Sequence, residues 1–131
     1  MRIARHLIDE LIAHAQEDLP NECCGMVGGR DGTAKTIHRA DNAEASPLRY
    51  SIAPQDQLRI SNAIDDAGEE LLAIYHSHTR SAAVPSPTDV NLAFYPEALY
   101  LIVSLADAES PEVRAWRIVE SKVDEVELTI E

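Results

Sequence analysis

The run LYLIVSLA, residues 99–106, constrains the fold most strongly, because eight consecutive uncharged residues are typical of a central buried strand. A second apolar stretch, ELLAIYHSH at residues 70–78, has the length and composition of another strand. The segment between them contains a helix start at Ser86. Strand, helix and strand in this order predict a layered α/β domain.

Hydrophobic spacing predicts two further helices. The first is amphipathic and ends at Pro20; its apolar face consists of Leu7, Ile8, Leu11, Ile12, Ala15 and Leu19. The second begins at Pro54, runs through about Ala67 and is closed by Gly68.

Short apolar and alternating stretches predict the remaining strands. CCGMVGG and TAKTIHRA, joined by Asp31-Gly32, predict a β-hairpin. LRYSIAP, VRAWRIV and VDEVELTI predict three more strands, the last at an edge of the sheet. We therefore expect a single domain over residues 1–131, with a mixed sheet of about six strands and helices packed against it.

The charge balance argues against several classes of partner. Formal net charge is −12, from 23 acidic and 11 basic side chains. A protein this acidic is a poor match for nucleic acid or for an anionic membrane surface. No apolar run approaches the roughly 18 residues needed to span a bilayer, and charges interrupt the N-terminal stretch, unlike a secretory signal.

The two cysteines give no disulfide framework. Cys23 and Cys24 are adjacent, and a bridge between neighbours is strained and staples nothing. Together with the charged N-terminal stretch, this composition predicts a cytoplasmic protein.

Two histidines stand at the end of a predicted strand. His76 and His78 are two residues apart, so both imidazoles project from one face and can reach one metal ion. The H-x-H pattern alone is short and common. Taken by itself, it fits two surface histidines better than a metal site.

Ser86 and Asp89 have a structural interpretation of their own. Ser86 suits the N-cap of a helix, Pro87 its first turn, and Asp89 can reach back to the N–H of the cap residue. Capping and metal ligation are compatible, because a carboxylate held at a helix start is already oriented. Two histidines and one carboxylate leave a tetrahedral ion one open position, as in catalytic zinc sites.

A hydrolytic metal site also needs a general base, and Glu22 in LPNECCGMVGG is the candidate. A solvated glutamate at a strand end is the alternative interpretation. Ser86, if it faces the metal, can donate a hydrogen bond to a developing oxyanion. A structural site that joins both cysteines to the two histidines is disfavoured, because neighbouring strand residues point to opposite faces.

These residues together resemble the motif of the JAMM (JAB1/MPN/Mov34) metalloprotease family. The chain carries its elements at the family's spacing: Glu22, His76-Ser77-His78 and Ser86-Pro87-Thr88-Asp89. The resemblance implies one Zn²⁺ held by His76, His78 and Asp89, with Glu22 as general acid and base and Ser86 stabilising the tetrahedral intermediate. Fe or Mn is an alternative metal, because the same ligands accept either.

The resemblance also implies a class of substrate. The family hydrolyses peptide or isopeptide bonds next to the C-terminus of ubiquitin-like proteins. Many members have Pro after the second histidine, where this chain has Thr79. Thr79, the stretch NECCGMVGG and DNAEASPLRYSIAP at residues 41–54 resemble the bacterial branch that acts on small sulfur carriers. One enzyme of that branch removes a C-terminal cysteine from its carrier during cysteine biosynthesis.

We therefore expect a carrier tail ending in Gly-Gly as the substrate. The 79–85 loop and residues 41–53 are candidates for holding it, with Arg80 and Arg49 facing a carboxylate. Tail processing in another thiocarboxylate pathway is the alternative substrate, and a metal-free binding scaffold is the alternative from another class. The sequence leaves the oligomeric state open, a homodimer included.

Two other metal-dependent classes fit poorly. A JAB-like protein of DNA repair is disfavoured by the acidic charge and by the lack of a helical DNA-binding region. A zinc nucleobase deaminase needs H-x-E and a later P-C-x-x-C, and neither motif occurs.

Overall fold

The computed structural model describes residues 1–131 as eight strands and three helices. In chain order these are β1 (Arg2–Ile3), α1 (Arg5–Glu17), β2 (Cys24–Arg30), β3 (Thr33–Ala40), α2 (Pro54–Asp66), β4 (Glu70–His78), α3 (Pro87–Asn91), β5 (Leu99–Ser104), β6 (Glu112–Val119), β7 (Lys122–Val126) and β8 (Thr129–Ile130). The mixed α/β fold expected from the sequence is confirmed.

The strands form one sheet in the order β7-β6-β5-β4-β2-β3-β1-β8. The two apolar stretches of the sequence, β4 and β5, are parallel neighbours at its centre, and His78 pairs with Ser104 at their ends. β2 runs antiparallel to β4, which sets Cys24 opposite His76. The segment that precedes β2 therefore ends beside the two histidines.

The sheet has eight strands where the sequence predicted about six. The prediction of a strand at LRYSIAP is wrong. Residues 48–53 form a loop, in which Ile52 makes one isolated bridge with Asn42, and Pro54 begins α2. The short strands β1 and β8 carry too few residues to show a pattern. VDEVELTI divides into β7 and β8, and these lie at opposite edges of the sheet.

The sheet curls so that its two edges approach each other. β7 ends at Val126 and β8 begins at Thr129, and three chain steps span at most about 11 Å. Leu128 packs in this gap against the apolar cluster that contains α1. The apolar face of the first helix packs against the curled sheet.

Successive side chains along the strands point to opposite faces of the sheet, so the core consists of two clusters, one on each face. Cys23, Tyr75 and Val103 pack with the apolar face of α1, whereas Cys24 and Ile74 pack on the other side with α2. The expected opposite orientation of the two cysteines is confirmed. His76 and His78 share the α2 side of the sheet with Ile74, because their positions have the same parity.

The helix limits agree with the sequence except in one place. α2 begins at Pro54, and Gly68 adopts a φ of +67° just beyond its end. α1 ends at Glu17, so Leu19 lies outside the helix with 48% of its surface exposed. No helix has both the length and the apolar character needed to cross a bilayer.

Candidate metal centre

The end of β4 brings two imidazole nitrogens together. His76 Nε2 and His78 Nε2 are 3.3 Å apart, and both side chains are buried. Burial lowers the pKa of His76, which favours the neutral imidazole that can bind a metal. The prediction that both rings face the same side of the strand is confirmed.

Asp89 serves the helix start and the histidine pair with the same oxygen. Its Oδ2 accepts from the backbone N–H of Ser86 at 2.9 Å, while Asp89 N–H donates to Ser86 Oγ at 3.1 Å. This is the capping box expected from the sequence. The same Oδ2 lies 3.2 Å from His76 Nε2 and 2.9 Å from His78 Nε2. Capping therefore aims the carboxylate at the histidines.

The three groups fit a tetrahedral metal ion. Zinc ligands at 2.0–2.1 Å stand about 3.3 Å from one another, and the three separations here are 2.9, 3.2 and 3.3 Å. His78 Nδ1 lies 2.8 Å from the carbonyl of Ala82. Donation there leaves the lone pair on Nε2, which faces the other two groups.

The charges of the cluster also favour a cation. Burial opposes the charge on Asp89, but hydrogen bonds with His76 and His78 hold its pKa well below the usual range. Burial lowers the pKa of His78, but its hydrogen bonds with Asp89 and the Ala82 carbonyl and the charges of Asp89 and Glu22 together raise it above its ordinary value. The carboxylate therefore stays ionised, so a cation at this position gains its attraction.

Glu22 lies just before β2 as a buried and unpartnered acid. Its side chain is 4% exposed, and its Oε1 has no hydrogen-bond partner. Burial, helped by the neighbouring charge of Asp89, raises the pKa of Glu22 to about 7. The backbone is fixed, because Glu22 N–H donates to the carbonyl of Ser46 and Asn42 Nδ2 donates to the carbonyl of Glu22.

One cavity of about 450 Å³ joins these groups to solvent. Its lining includes Glu22, Pro47, Leu48, His78, Thr79, Arg80, Ser81 and Ser86. Of the two arginines suggested by the sequence, Arg80 lines this cavity and Arg49 does not. Residues of both predicted loops border it, and Thr79 Oγ1 donates to the carbonyl of Pro47 at 3.3 Å.

Tyr50 is a neighbour of the centre that the sequence did not identify. Its ring stacks on His76 with centroids 4.3 Å apart and planes inclined by 15°. His76 Nδ1 has no hydrogen-bond partner, so ring stacking, rather than a hydrogen bond at Nδ1, orients this imidazole. Tyr50 also lines a second, mainly apolar cavity of about 300 Å³ together with Phe94 and Tyr95.

Comparison with known proteins decides the family. The family described as prokaryotic homologs of the JAB domain matches residues 4–119. The chain belongs to this family. The JAB/MPN-type fold expected from the motif is thereby confirmed, and the chain is a hydrolase of the JAMM metalloprotease type.

Curated relatives and a solved structure agree with this assignment. A CysO-cysteine peptidase of Mycobacterium tuberculosis is 41% identical over 125 residues, which cover 94% of this chain and 86% of the relative. A desampylase of Haloferax volcanii is 37% identical over 112 residues, 79% of this chain and 80% of the relative. The solution structure of protein DSY2949 from Desulfitobacterium hafniense has a TM-score of 0.91 and 35% identity, covering 100% of this chain and 93% of that one.

Proposed function

We propose that this JAMM-type protein is a zinc peptidase that cuts after the C-terminal Gly-Gly of a small ubiquitin-like sulfur carrier and releases a C-terminal cysteine. One observation carries the proposal. Two imidazole nitrogens and a carboxylate oxygen converge within 4.8 Å of one another, beside the cavity that holds the unpartnered carboxyl group of Glu22.

His76, His78 and Asp89 would hold the ion through His76 Nε2, His78 Nε2 and Asp89 Oδ2. Three protein ligands leave one tetrahedral position open for a water or a substrate oxygen. A zinc ion bound there would act as a Lewis acid and bring the pKa of water towards about 7. Imidazole and carboxylate ligands also suit Fe and Mn, so metal analysis is part of the test.

Glu22 moves the protons of the reaction. Its ionised carboxylate accepts a proton from the attacking water and then donates it to the leaving amine, so the peptide bond breaks as one water is consumed. A pKa of about 7 suits both transfers, because the acid and base forms are populated near neutral pH. Burial keeps the carboxyl group free of competing partners.

Ser86 is placed to stabilise the negative charge on the carbonyl oxygen. Its Oγ already accepts the backbone N–H of Asp89, so the hydroxyl proton remains free to donate. Ser86 lines the same cavity as Glu22 and His78. A hydrogen bond to the developing oxyanion from a fixed donor lowers the barrier to attack.

Two features support a sulfur carrier as substrate. The relative from Mycobacterium tuberculosis is named for CysO-cysteine, and the stretches that resemble the sulfur-carrier branch border the cavity at Pro47, Leu48 and Thr79. A Gly-Gly tail has no side chains and can lie extended in this narrow space. Arg80 stands at the cavity wall, where its guanidinium can meet the carboxylate of a released cysteine.

A second candidate substrate is another ubiquitin-like protein joined to a target. The desampylase of Haloferax volcanii supports it. The two candidates share the chemistry at the Gly-Gly carbonyl and differ only in the leaving amine. A carrier ending in cysteine and a carrier linked to a lysine side chain, assayed side by side, separate them.

The catalytic assignment is tested by comparing Glu22→Gln with His76→Ala. We expect Glu22→Gln to keep one zinc per chain and to lose at least ~10²-fold in turnover. His76→Ala loses metal and turnover together. An active Glu22→Gln protein would remove Glu22 from the mechanism, and a His76→Ala protein with full zinc content would remove the proposed metal site.

A further inference from the structure

Three consecutive carbonyls in the 79–85 loop each lie within hydrogen-bond distance of a side-chain donor. The donors come from three adjacent strands: His78 ends β4, Ser104 ends β5 and Trp116 lies in the middle of β6. The pairs are Ser104 Oγ to Ser81 O at 2.7 Å, His78 Nδ1 to Ala82 O at 2.8 Å, and Trp116 Nε1 to Ala83 O at 2.9 Å. We call these loop residues the 81–83 segment.

The bond to Ala83 is buried, whereas the bonds to Ser81 and Ala82 are partly buried. Ser104 is 4% exposed and Trp116 is 8% exposed, and Ala83 is fully buried among the apolar residues on the α2 side of the sheet. Solvent therefore cannot easily replace the Trp116 donor at Ala83, and leaving that carbonyl unpaired is costly. Loops rarely carry three consecutive carbonyls that each pair with a side-chain donor, because most loops satisfy their backbone with water.

The 81–83 segment connects both halves of the proposed metal centre. On one side, the carbonyl of Ala82 accepts a hydrogen bond from His78 Nδ1–H, which keeps the Nε2 lone pair directed at the ion position. On the other side, only Val84 and Pro85 separate Ala83 from Ser86, where α3 begins. Ala83 is therefore anchored three residues before Ser86, whose capping box holds Asp89.

We propose that Ser104 and Trp116 are positioning residues of the metal centre, which act through the 81–83 segment on His78 and Asp89. The proposal rests on the metal site proposed above. Neither residue lines the cavity or belongs to the proposed ligand set. Their bonds hold the loop at the one place where it sets both the tautomer of His78 and the direction of the Asp89 carboxylate.

A residue with only a packing role would behave differently. It would lower the stability of the metal-free protein and leave the affinity for zinc unchanged. Trp116→Phe and Ser104→Ala remove the donors while leaving most of each side-chain volume. Ile118→Val is the matched control: Ile118 lies two residues beyond Trp116 on β6, is also buried and belongs to the same apolar cluster.

The experiment measures the zinc dissociation constant by competition with a chromophoric chelator, together with the Tm of each metal-free protein. We expect Trp116→Phe and Ser104→Ala to bind zinc at least ~10-fold more weakly than the wild type. Ile118→Val binds zinc as the wild type does, although its Tm also falls. Ser104→Thr, which keeps the hydroxyl, restores the affinity.

The outcomes separate this proposal from the metal site itself. A wild type that binds no zinc would refute the site. A wild type that binds zinc, with Trp116→Phe and Ser104→Ala within twofold of it, would overturn the positioning role. If Trp116→Phe does not fold, the pair Ser104→Ala and Ser104→Thr decides: equal affinities of these two variants contradict the proposal.

Discussion

Replacing Glu22 with glutamine is expected to stabilise the metal-free protein at alkaline pH while it abolishes catalysis. The carboxyl group is buried without a partner for Oε1, and burial raises its pKa to about 7 from an ordinary value of 4.5. The native state therefore binds this proton more tightly than the unfolded chain does. By linkage, the wild type loses stability as the pH rises through about 7.

The size of the effect follows from the two pKa values. Between pH 5.5 and pH 8 the carboxyl group of the native protein loses its proton, because its pKa is about 7. In the unfolded chain the same group is already largely ionised at pH 5.5. The difference amounts to about 2 kcal/mol of unfolding free energy lost by the wild type. Glu22→Gln carries no titrating group at this position, so it does not suffer this loss.

Urea unfolding of the chelator-treated proteins at both pH values measures the effect directly. Relative to the wild type, Glu22→Gln should gain about 2 kcal/mol on going from pH 5.5 to pH 8. Glu97→Gln, which changes an exposed glutamate, serves as the control and should follow the wild type at both pH values. If the stabilities of the Glu22→Gln and wild-type proteins changed in parallel with pH, the claim that burial raises the pKa of Glu22 would be refuted.

Substitutions at three other residues probe further contacts. His76→Ala should lower the zinc content from one per chain to near zero by elemental mass spectrometry; retained zinc contradicts the ligand assignment. Tyr50→Ala should weaken zinc binding ~10-fold by losing the stacked ring on His76, while Tyr50→Phe keeps it; equal affinities of the two variants refute that role. Tyr75→Phe removes the hydroxyl 2.7 Å from buried His14 Nδ1 and should cost about 1–3 kcal/mol in urea unfolding; an unchanged midpoint excludes that bond.

The candidate site was accessible from the sequence because its parts are local patterns. His76 and His78 share a strand face by parity alone, and Ser86 with Asp89 forms a capping box that any helix start displays. The sequence made capping and ligation by Asp89 compatible, but did not show that one side chain does both. The structure shows one oxygen, Oδ2, in contact with both the Ser86 N–H and the two imidazoles.

Other features depend on contacts between distant segments and leave no local signal. LRYSIAP has the composition of a strand, but it forms a loop held by the side chain of Asn42. That side chain makes hydrogen bonds to the backbone of Glu22, Glu44, Arg49 and Ser51. That loop presents Tyr50 to His76. Trp116, 33 residues beyond Ala83, likewise appears in the sequence only as one apolar position of a strand.

The same limit explains the strand count. β1 and β8 have two residues each and exist because the curled sheet brings the chain ends together, with β1 paired to β3 and β8 paired to β1. Leu19 has the spacing of a buried helix position, yet α1 stops at Glu17 and leaves it exposed. Periodicity identifies which face a long element buries, but not where that element ends.

The most direct test of the central claim is intact-mass spectrometry of a sulfur carrier that bears a cysteine after its C-terminal Gly-Gly. The carrier is incubated with the protein at confirmed zinc occupancy, and with Glu22→Gln and a chelator as controls. We predict that the carrier loses the mass of one cysteine residue and that both controls prevent this loss. An unchanged carrier mass with zinc bound would contradict release of cysteine from such a carrier.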